Sequence, residues 1–368
     1  MPDWTGSMEQ SYEFYIVDPD TWKDSKLLDT VKKCTIKRDS GAETLGSATI
    51  DISESVGECY IRIYLITVQN GVKEKYPLGT FLVQTPASNH NGKIRNVSMD
   101  AYTPLIELKE KLPPIGYYVA KNSDETVLEA AHRIAQENVR APVVPTKSAG
   151  TLTNDFVAEP DDTYLGFITD LIKNVRFTDE PGKIKNVTYK FDIDEMGRIL
   201  FAPEQETKSL QPIWTYDDGN SSILYPNISM DHDLYGIPNV VEVICSNGDN
   251  SERYHAKVRN DDENSPTSTV NRGREIIHRV TDPGFTGIPS KEEVDEYAKK
   301  LLKELSTIEY TVTYTHGYCP VRVNDCVLLN YSKAGLTNIK AKVISQSIKC
   351  EPGCPVTEKA VFTTKLWG

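Results

Sequence analysis

The 368-residue sequence has no long apolar run and no leader-like beginning. A membrane-spanning helix needs roughly 18 or more consecutive apolar residues, and no such run occurs. The first residues, MPDWTGSMEQSYEF, lack a basic segment followed by an apolar core, so they do not resemble a secretory signal. We therefore expect no membrane anchor, and synthesis in a reducing cytoplasm.

The sequence motifs of common catalytic sites are also missing. No GxSxG, Walker or GxGxxG motif occurs, and the six histidines form no HExxH pair. A glycosidase needs two carboxyls that face each other across a cleft. The adjacent carboxylates instead lie in polar stretches typical of solvated loops, at Asp161-Asp162, Asp217-Asp218 and Asp261-Asp262-Glu263. The sequence predicts no catalytic residue and no cofactor.

Basic residues are outnumbered by acidic ones. The chain has 41 Lys and Arg against 53 Asp and Glu, a net charge of −12. A nucleic-acid groove needs basic surface to displace counterions from phosphates, so this balance argues against such a groove. It suits a surface past which DNA slides without sticking.

Cysteines are few and odd in number. With seven of them, at least one is unpaired under any disulfide scheme. Cys34 and Cys59 lie in apparent strands and are interpreted as buried free thiols. Cys319 with His316 is the only close Cys/His pair that suggests a nucleophile, and alternation along the strand favours a strand end and its loop instead.

One set of thiols is a candidate for zinc binding. Its spacings do not repeat as paired CxxC motifs, so ordinary thiols are favoured over a metal site, and the sequence leaves the question open. The four residues are Cys319, Cys326, Cys350 and Cys354.

The first part of the chain is rich in strands. The segment Tyr76–Leu105 reads as the strand Phe81–Thr85, a polar loop at Ser88–Lys93, and a second strand that must leave the sheet at Pro104. Residues 8–105 predict one antiparallel unit, most simply a small barrel. Its other strands are Tyr12–Val17, Cys34–Arg38, Ser47–Ile52 and Tyr60–Val68.

Helical patterns follow a proline-rich linker at Leu112-Pro113-Pro114. Ser123 is expected to cap a helix that packs by one apolar stripe. A second helix is expected over Asp162–Asn174. The stripe of the first helix is Val127, Leu128, Ala131, Ile134 and Ala135.

Strand patterns resume at Val187. Alternation around a Met196-Gly197 turn predicts a hairpin, and Asn247-Gly248-Asp249 predicts a second. The polar stretch 260–271 is expected to be an exposed loop. Ser290 and Glu293 form a capping box that begins the clearest helix. Its stripe is Val294, Tyr297, Ala298, Leu301, Leu302 and Leu305.

The order of these features resembles a known family. The sequences LGTFLV and DAYTPL are followed by PNVVEV, RNDDENSPTSTVNRGREI, EEVDEYAKKLLKEL and IEYTVTYTHGYCPVRVNDCVLL. Together they resemble the hub proteins at the tip, or baseplate, of long phage tails and of related contractile injection systems. The resemblance covers nearly the whole chain from Met8.

The resemblance implies an α+β, mainly β fold with two small antiparallel β-barrels. The implied divisions are a first barrel (8–108), a helical middle module (109–185), a strand-rich insertion (186–238) and a second barrel (239–368) with an inserted helix at 290–305. Three subunits would form a ring that adapts a sixfold tail tube to a threefold partner.

The implied partners are the tail tube or a distal tail protein on one side and a central spike, fibre or tape-measure protein on the other. Genomic DNA would pass without specific binding. The implied location is the tail tip of a virion assembled in the host cytoplasm. No enzyme, cofactor or metal is implied, and any lytic activity is expected to belong to a partner or to sequence outside this chain.

Two alternatives stay open. A carbohydrate-binding module would show exposed aromatics on one sheet face, and Tyr60 with Tyr64 could form such a face, although cross-strand packing explains them equally well. A cell-wall hydrolase would lose turnover on substitution of Cys319 or of one acidic residue.

Overall fold

A computed structural model describes residues 2–54, 56–90, 95–121, 124–146, 150–152, 154–173, 175–180, 183–219, 221–246, 253–281, 283 and 290–367. The strands are β1 (Glu9–Val17), β2 (Asp24–Leu27), β3 (Val31–Asp39), β4 (Gly46–Ile52), β5 (Tyr60–Gln69), β6 (Val72–His90), β7 (Arg95–Tyr102), β8 (Tyr118–Val119), β9 (Phe156–Val157), β10 (Val175–Glu180), β11 (Lys183–Val187), β12 (Tyr189–Ile193), β13 (Ile199–Pro203), β14 (Trp214–Asp217), β15 (Leu224–His232), β16 (Val240–Ser246), β17 (Arg253–Arg259), β18 (Ile277–Thr281), β19 (Thr307–Gly317), β20 (Cys326–Tyr331), β21 (Leu336–Lys349) and β22 (Pro355–Lys365). The helices are α1 (Leu105–Glu110), α2 (Val127–Asn138), α3 (Tyr164–Ile172), α4 (Thr269–Arg272) and α5 (Lys291–Leu305).

The fold is α+β and mainly β, as predicted. Its largest sheet has the strand order β15-β19-β22-β21-β3-β4-β7-β6-β5-β1-β2, with β14 and β20 joined beside β21. The strand pairings of the described residues form no closed barrel, which corrects the expectation of two barrels. The physical reason is that β21 pairs with β3, Ser345 opposite Asp39, so two sets of strands satisfy each other's edges instead of each closing on itself.

The chain divides into two compact units. The larger unit comprises Met1–Asn227 and Tyr314–Lys359, and the smaller unit comprises Ile228–Thr313 and Ala360–Gly368. The four-part division with boundaries after residues 108, 185 and 238 stays a prediction.

Strands β6 and β7 form a longer pair than predicted. The expected loop at Ser88–Lys93 begins later, because β6 continues to His90 and pairs there with Arg95. Residues 91–94 lie outside the described part of the chain.

Strand β5 lies in the interior of the larger unit, with both of its faces covered. Arg62 is 1% exposed. Its guanidinium pairs with Asp24 at 2.8 Å and donates from Nε to Thr80 Oγ1 at 2.9 Å. Tyr64 donates to the other oxygen of Asp24 at 2.8 Å. The buried charge is therefore paired and hydrogen-bonded, which is the condition under which an interior tolerates it.

The predicted hairpin around Met196 is confirmed as β12–β13. Gly197 at its turn has φ 74°, and a Cβ on this residue would lie 2.7 Å from Thr80 Cβ. Only glycine lets the turn approach so closely in this backbone conformation. The Met196 carbonyl can then accept from Trp22 Nε1 at 2.8 Å and from Arg62 Nη2 at 3.1 Å.

The helical part of the larger unit packs as predicted, with one correction at its beginning. Thr126, not Ser123, caps α2, through a capping box with Glu129. Ser123 itself lies outside the described residues. The apolar stripe of α2 is buried against α3 and the hairpin β12–β13. Helix α3 is shorter than expected and begins after Thr163, whose side chain accepts from Gly166 N.

The smaller unit contains a three-stranded sheet covered by a helix. Strand β16 lies between antiparallel β17 and parallel β18. Helix α5 begins with the predicted capping box of Ser290 and Glu293. Val294, Ala298 and Leu302 of its stripe are buried against the sheet, and the rest of the stripe is partly buried. The predicted turn 247–249 lies outside the described residues. None of the described helices is long and apolar enough to cross a membrane.

The polar stretch 260–271 is only partly the exposed loop that its composition predicted, because residues 261–264 are exposed whereas other residues of the stretch are buried. Asn260, Thr267 and Ser268 are fully buried. Asn260 Nδ2 donates to Ser265 Oγ at 2.9 Å, and the backbone N–H of Thr269 donates to Asn260 O at 2.8 Å. Polar residues can lie inside because they satisfy one another, and composition alone does not reveal this.

Candidate functional site

A group of titratable side chains is buried in the larger unit and is called here the buried cluster. Tyr216 comes from β14, Tyr314 and His316 from β19, Cys319 from the residues after β19, and Glu358 from β22. Each is at most 1% exposed.

Strand alternation explains why these side chains meet. In β19 the even-numbered residues from Val312 to His316 are buried, and in β22 Val356 and Glu358 are buried on the same period of two. Glu358 is not predicted from the sequence, although its signal is present there, because a charge occupies an inward position of an alternating apolar strand.

Glu358 is the central acceptor of the buried cluster. Its Oε2 accepts from Gln346 Nε2 at 2.7 Å and lies 3.4 Å from His316 Nε2. Its Oε1 accepts from the Tyr314 hydroxyl. A carboxylate with three donors around it is well satisfied in an interior that water does not reach.

His316 is held as an imidazolium. Its Nδ1 lies 2.7 Å from the Gly317 carbonyl oxygen, which can only accept, and its Nε2 faces Glu358. Both ring nitrogens therefore carry protons. Burial by itself lowers the pKa of His316, but the hydrogen bonds to Cys319 and Glu358 and the charge of Glu358 outweigh it and raise the pKa to about 10.

The two tyrosines stay neutral beside this ion pair. Burial, followed by the charge of Glu358, raises the pKa of Tyr216 and of Tyr314 well above the ordinary value. The Tyr216 oxygen lies 3.1 Å from His316 Nε2 and 3.3 Å from Cys319 Sγ, so it can accept from the imidazolium and donate to the sulfur.

Hydrogen bonds continue from the buried cluster toward the surface. Gln346 Oε1 accepts from Arg38 Nη1 at 3.2 Å. Arg38 pairs with Glu195 at 3.4 Å, and Glu195 pairs with Arg322 at 2.8 Å. The outer part of this network lines a cavity of about 60 Å³, which has room for ordered water among polar groups.

The predicted Cys/His pair is brought together, but not as a nucleophile and its base. Cys319 Sγ lies 3.9 Å from His316 Nδ1. That nitrogen already has the Gly317 carbonyl as its partner, and the thiol is 1% exposed. Among the residues that the structure describes, this sulfur is therefore buried and serves as a packing and hydrogen-bonding group.

The four candidate zinc ligands have different surroundings. Cys319 belongs to the buried cluster, and Cys326 lies in β20. Cys350 donates its backbone N–H to Cys34 O at 3.0 Å. Burial raises the pKa of Cys354 to about 12. In the described part of the chain, no three His, Cys, Asp or Glu side chains are arranged to hold a metal ion.

Three further predictions concern other thiols, a possible aromatic surface and the paired carboxylates. Cys34 is buried in β3 as expected, whereas Cys59 is half-buried and precedes β5. Tyr60 and Tyr64 are 1% and 6% exposed, so they offer no aromatic surface for a sugar. Among the paired carboxylates, which were predicted to be solvated loop residues, Asp217 ends β14, whereas Asp218 is exposed and accepts from Ser332 Oγ at 2.7 Å.

Comparisons with known proteins were made by sequence and by structure. No protein-family model and no curated protein matches the sequence significantly. The crystal structure of the 43 kDa tail protein of prophage MuSo2 from Shewanella oneidensis has a TM-score of 0.58 at 11% identity, covering 96% of this chain and 98% of that one. The chain has the fold of a prophage tail protein.

A second solved structure agrees. The tail protein from Neisseria meningitidis MC58 has a TM-score of 0.55 at 12% identity, covering 97% of this chain and 98% of that chain. The resemblance to tail proteins that the sequence indicated is therefore confirmed at the level of the fold.

Proposed function

We propose that this protein is a structural hub subunit at the tip of a phage tail. The observation that carries the proposal is the likeness to two prophage tail proteins along nearly the entire length of each chain. Because the sequence identity is only 11–12%, the similarity supports the fold. The function is proposed by analogy with proteins of that fold.

The interior of the larger unit favours a structural role over a catalytic one. The ionisable groups of the buried cluster form hydrogen bonds with one another, and Glu358 accepts from His316, Tyr314 and Gln346. An active site needs such groups in a cleft that a substrate can enter. We therefore propose that the protein is not an enzyme.

Unpaired strand edges favour assembly with copies of itself. Strand β15 ends the order of the large sheet, is nine residues long and is mostly exposed, with Tyr225 43% and Met230 41% exposed. All four residues of β2, at the other end, are exposed. A long exposed edge strand is an aggregation hazard unless another chain covers it. We propose that β15 meets a copy in a homotrimeric ring.

The ring would continue the tail tube and adapt its sixfold symmetry to a threefold spike or fibre. Its partners would be the tail tube or a distal tail protein on one side and a spike, fibre or tape-measure protein on the other. The net charge of −12 suits a channel through which DNA passes without specific binding. The location would be the tail tip of a virion assembled in the host cytoplasm.

The test is the mass of the purified chain in solution, together with negative-stain images of any rings. We expect a three-subunit particle with a central hole, and no retardation of double-stranded DNA by it at physiological salt. Replacing both Tyr225 and Met230 by Asp should give a monomer. The matched control is Val72→Asp, since Val72 is 61% exposed and lies in the β5–β6 turn region.

A chain that stays monomeric at all concentrations would contradict the trimer. A trimer that survives the double substitution as well as it survives Val72→Asp would exclude β15 as the contact.

A further inference from the structure

The smaller unit contains an open groove that the proposed hub role does not use. Its volume is about 620 Å³. The lining combines apolar side chains with two arginines. The lining residues that matter here are Leu234, Tyr235, Pro266, Arg272, Arg274 and Ile276.

Arg272 is held firmly at the groove. It ends α4, and its guanidinium donates from Nη1 to Ile237 O and from Nη2 to Leu234 O, both at 2.8 Å. These carbonyls fix the orientation of the guanidinium but do not neutralise it. Burial and the neighbouring Arg274 both lower the pKa of Arg272, which indicates a cation next to another cation.

Arg274 is exposed, and its backbone is fixed, because its carbonyl accepts from Asn239 Nδ2 at 3.0 Å. The adjacent Glu275 is engaged elsewhere, by Lys257 at 3.0 Å and Arg259 at 2.7 Å. Neither Arg272 nor Arg274 forms an ion pair with a carboxylate of the described residues. A chain with a net charge of −12 thus keeps two neighbouring guanidiniums that pair with no carboxylate in the part of the chain that the structure describes.

The loop that carries the two arginines is held in place by internal hydrogen bonds without any bound partner. Asn239 and Asn260 are fully buried. Asn239 Oδ1 accepts from Ile276 N at 2.7 Å, while Asn271 Nδ2 donates to Glu263 O at 2.7 Å and to Ser265 O at 2.9 Å. A binding surface that is ordered before the partner arrives loses less entropy on association.

Apolar and aromatic surface lies beside the charges. Tyr235 is 92% exposed, which is unusual for a large aromatic residue, and Leu234 and Ile276 are partly exposed. Tyrosine and arginine are enriched among the residues that contribute most to protein interfaces. The groove can therefore hold an apolar side chain next to an anion.

We propose that this groove binds an acidic segment of a partner protein, with a carboxylate between Arg272 and Arg274 and an adjacent apolar side chain on Leu234, Tyr235 and Ile276. Two arginines matched by carboxylates give charge-assisted and geometrically specific hydrogen bonds. Nucleic acid is the less suitable ligand, because the chain is strongly acidic and the groove is largely apolar between its charges. The proposal rests on the smaller unit alone and does not depend on the trimer.

In the test, random dodecapeptides are selected for binding to the purified protein and, in parallel, to its Arg274→Glu variant. We expect the peptides selected on the unchanged protein to be enriched in Asp or Glu next to an apolar residue. That enrichment should vanish on Arg274→Glu. Binding of the best peptide, measured by fluorescence anisotropy, should weaken roughly tenfold, since repulsion replaces an attraction of similar size.

Arg253→Glu is the matched control, because Arg253 is an exposed arginine of the same unit outside the groove. It should retain both the enrichment and the affinity. Unfolding midpoints of both variants check that the fold persists, and Arg274→Gln gives a milder variant if Arg274→Glu does not fold.

Other outcomes would overturn the proposal. These are selection without acidic enrichment, equal enrichment on Arg274→Glu, and displacement of the peptide by inorganic phosphate at millimolar concentration. A single-stranded oligonucleotide that binds more tightly than the best peptide would assign the groove to nucleic acid instead.

Discussion

The two units both bury polar side chains, but the chemistry of those side chains differs. The larger unit buries charges, with His316 and Glu358 joined through Gln346 to Arg38. The smaller unit buries Glu242, which pairs with Arg279 at 2.7 Å, but its most deeply buried polar network is made of neutral amides and hydroxyls, as Asn239 and the loop around Asn260 show. The charged network joins strands from distant parts of the chain, since Arg38 and Gln346 are 308 positions apart. The neutral network shapes one loop, since Asn260 and Ser265 are 5 positions apart.

This difference indicates how each unit should respond to damage. Removing one partner from a buried ion pair leaves a charge without compensation, whereas removing one partner from a neutral pair leaves only an unsatisfied dipole. We therefore expect single substitutions to cost more stability in the charged network of the larger unit than in the neutral network of the smaller unit. Of these two networks, only the charged one should respond to pH near neutrality.

The largest expected effect is that of Glu358→Ala. It leaves the His316 imidazolium, the Tyr314 hydroxyl and the Gln346 amide without their acceptor, and should cost about 3–5 kcal/mol of unfolding free energy. Denaturant unfolding measures the loss, and hydrogen exchange along β19 locates it. The control is Glu309→Ala, at an exposed position of β19, which should cost at most about 0.5 kcal/mol of unfolding free energy. Equal costs for the two variants would show that the buried cluster contributes no stability.

The next effect is a pH dependence that His316 confers. Its pKa is about 10 in the folded chain, against 6.5 ordinarily, so its contribution to stability is complete below pH 6.5 and is lost as pH rises to 10. Within that window the unfolding free energy should fall by about 1.4 kcal/mol per pH unit on account of this group. His316→Gln should remove this slope. Tyr216 and Tyr314 do not titrate there, because their pKa values are raised well above the ordinary value. An unchanged slope in the variant would contradict a charged His316.

The smallest effect is expected in the smaller unit. Asn260→Ala removes the donor to Ser265 Oγ and the acceptor of Asp262 N, and should cost about 1–2 kcal/mol with no pH dependence between pH 6 and 10. Asn264→Ala, at an exposed position of the same loop, should change stability by at most about 0.5 kcal/mol. A loss of 3 kcal/mol or more in Asn260→Ala would remove the contrast between the two networks.

Features with local signals were predicted well from the sequence. The capping box of Ser290 and Glu293 and the apolar stripe behind it lie within a few residues of each other, so the pattern alone predicts α5. The hairpin at Met196 combines alternation with a glycine turn, and it is present. The overall likeness to tail proteins followed from the order of such features.

Features made by distant contacts were missed. The alternation of β22 marks Glu358 as an inward position, but only the fold shows that Tyr314 and His316 are its partners. The stretch 260–271 looked exposed because its side chains are polar, and only the fold shows that they satisfy one another. Barrel closure was expected from the strand pattern of residues 8–105 and from the family likeness, whereas the described strand pairings show no closed barrel and pair β21 with β3. Each failure concerns partners that no local window contains.

The contact between Arg62 and the hairpin turn has a consequence for biosynthesis. Arg62 donates to the Met196 carbonyl, 134 positions later in the chain. At ribosomal speeds of roughly 5–20 residues per second, that carbonyl is made on the order of ten seconds after the arginine. Until then the guanidinium can pair with Asp24 and Thr80 but lacks the Met196 acceptor, so the contacts around Arg62 stay incomplete on the ribosome.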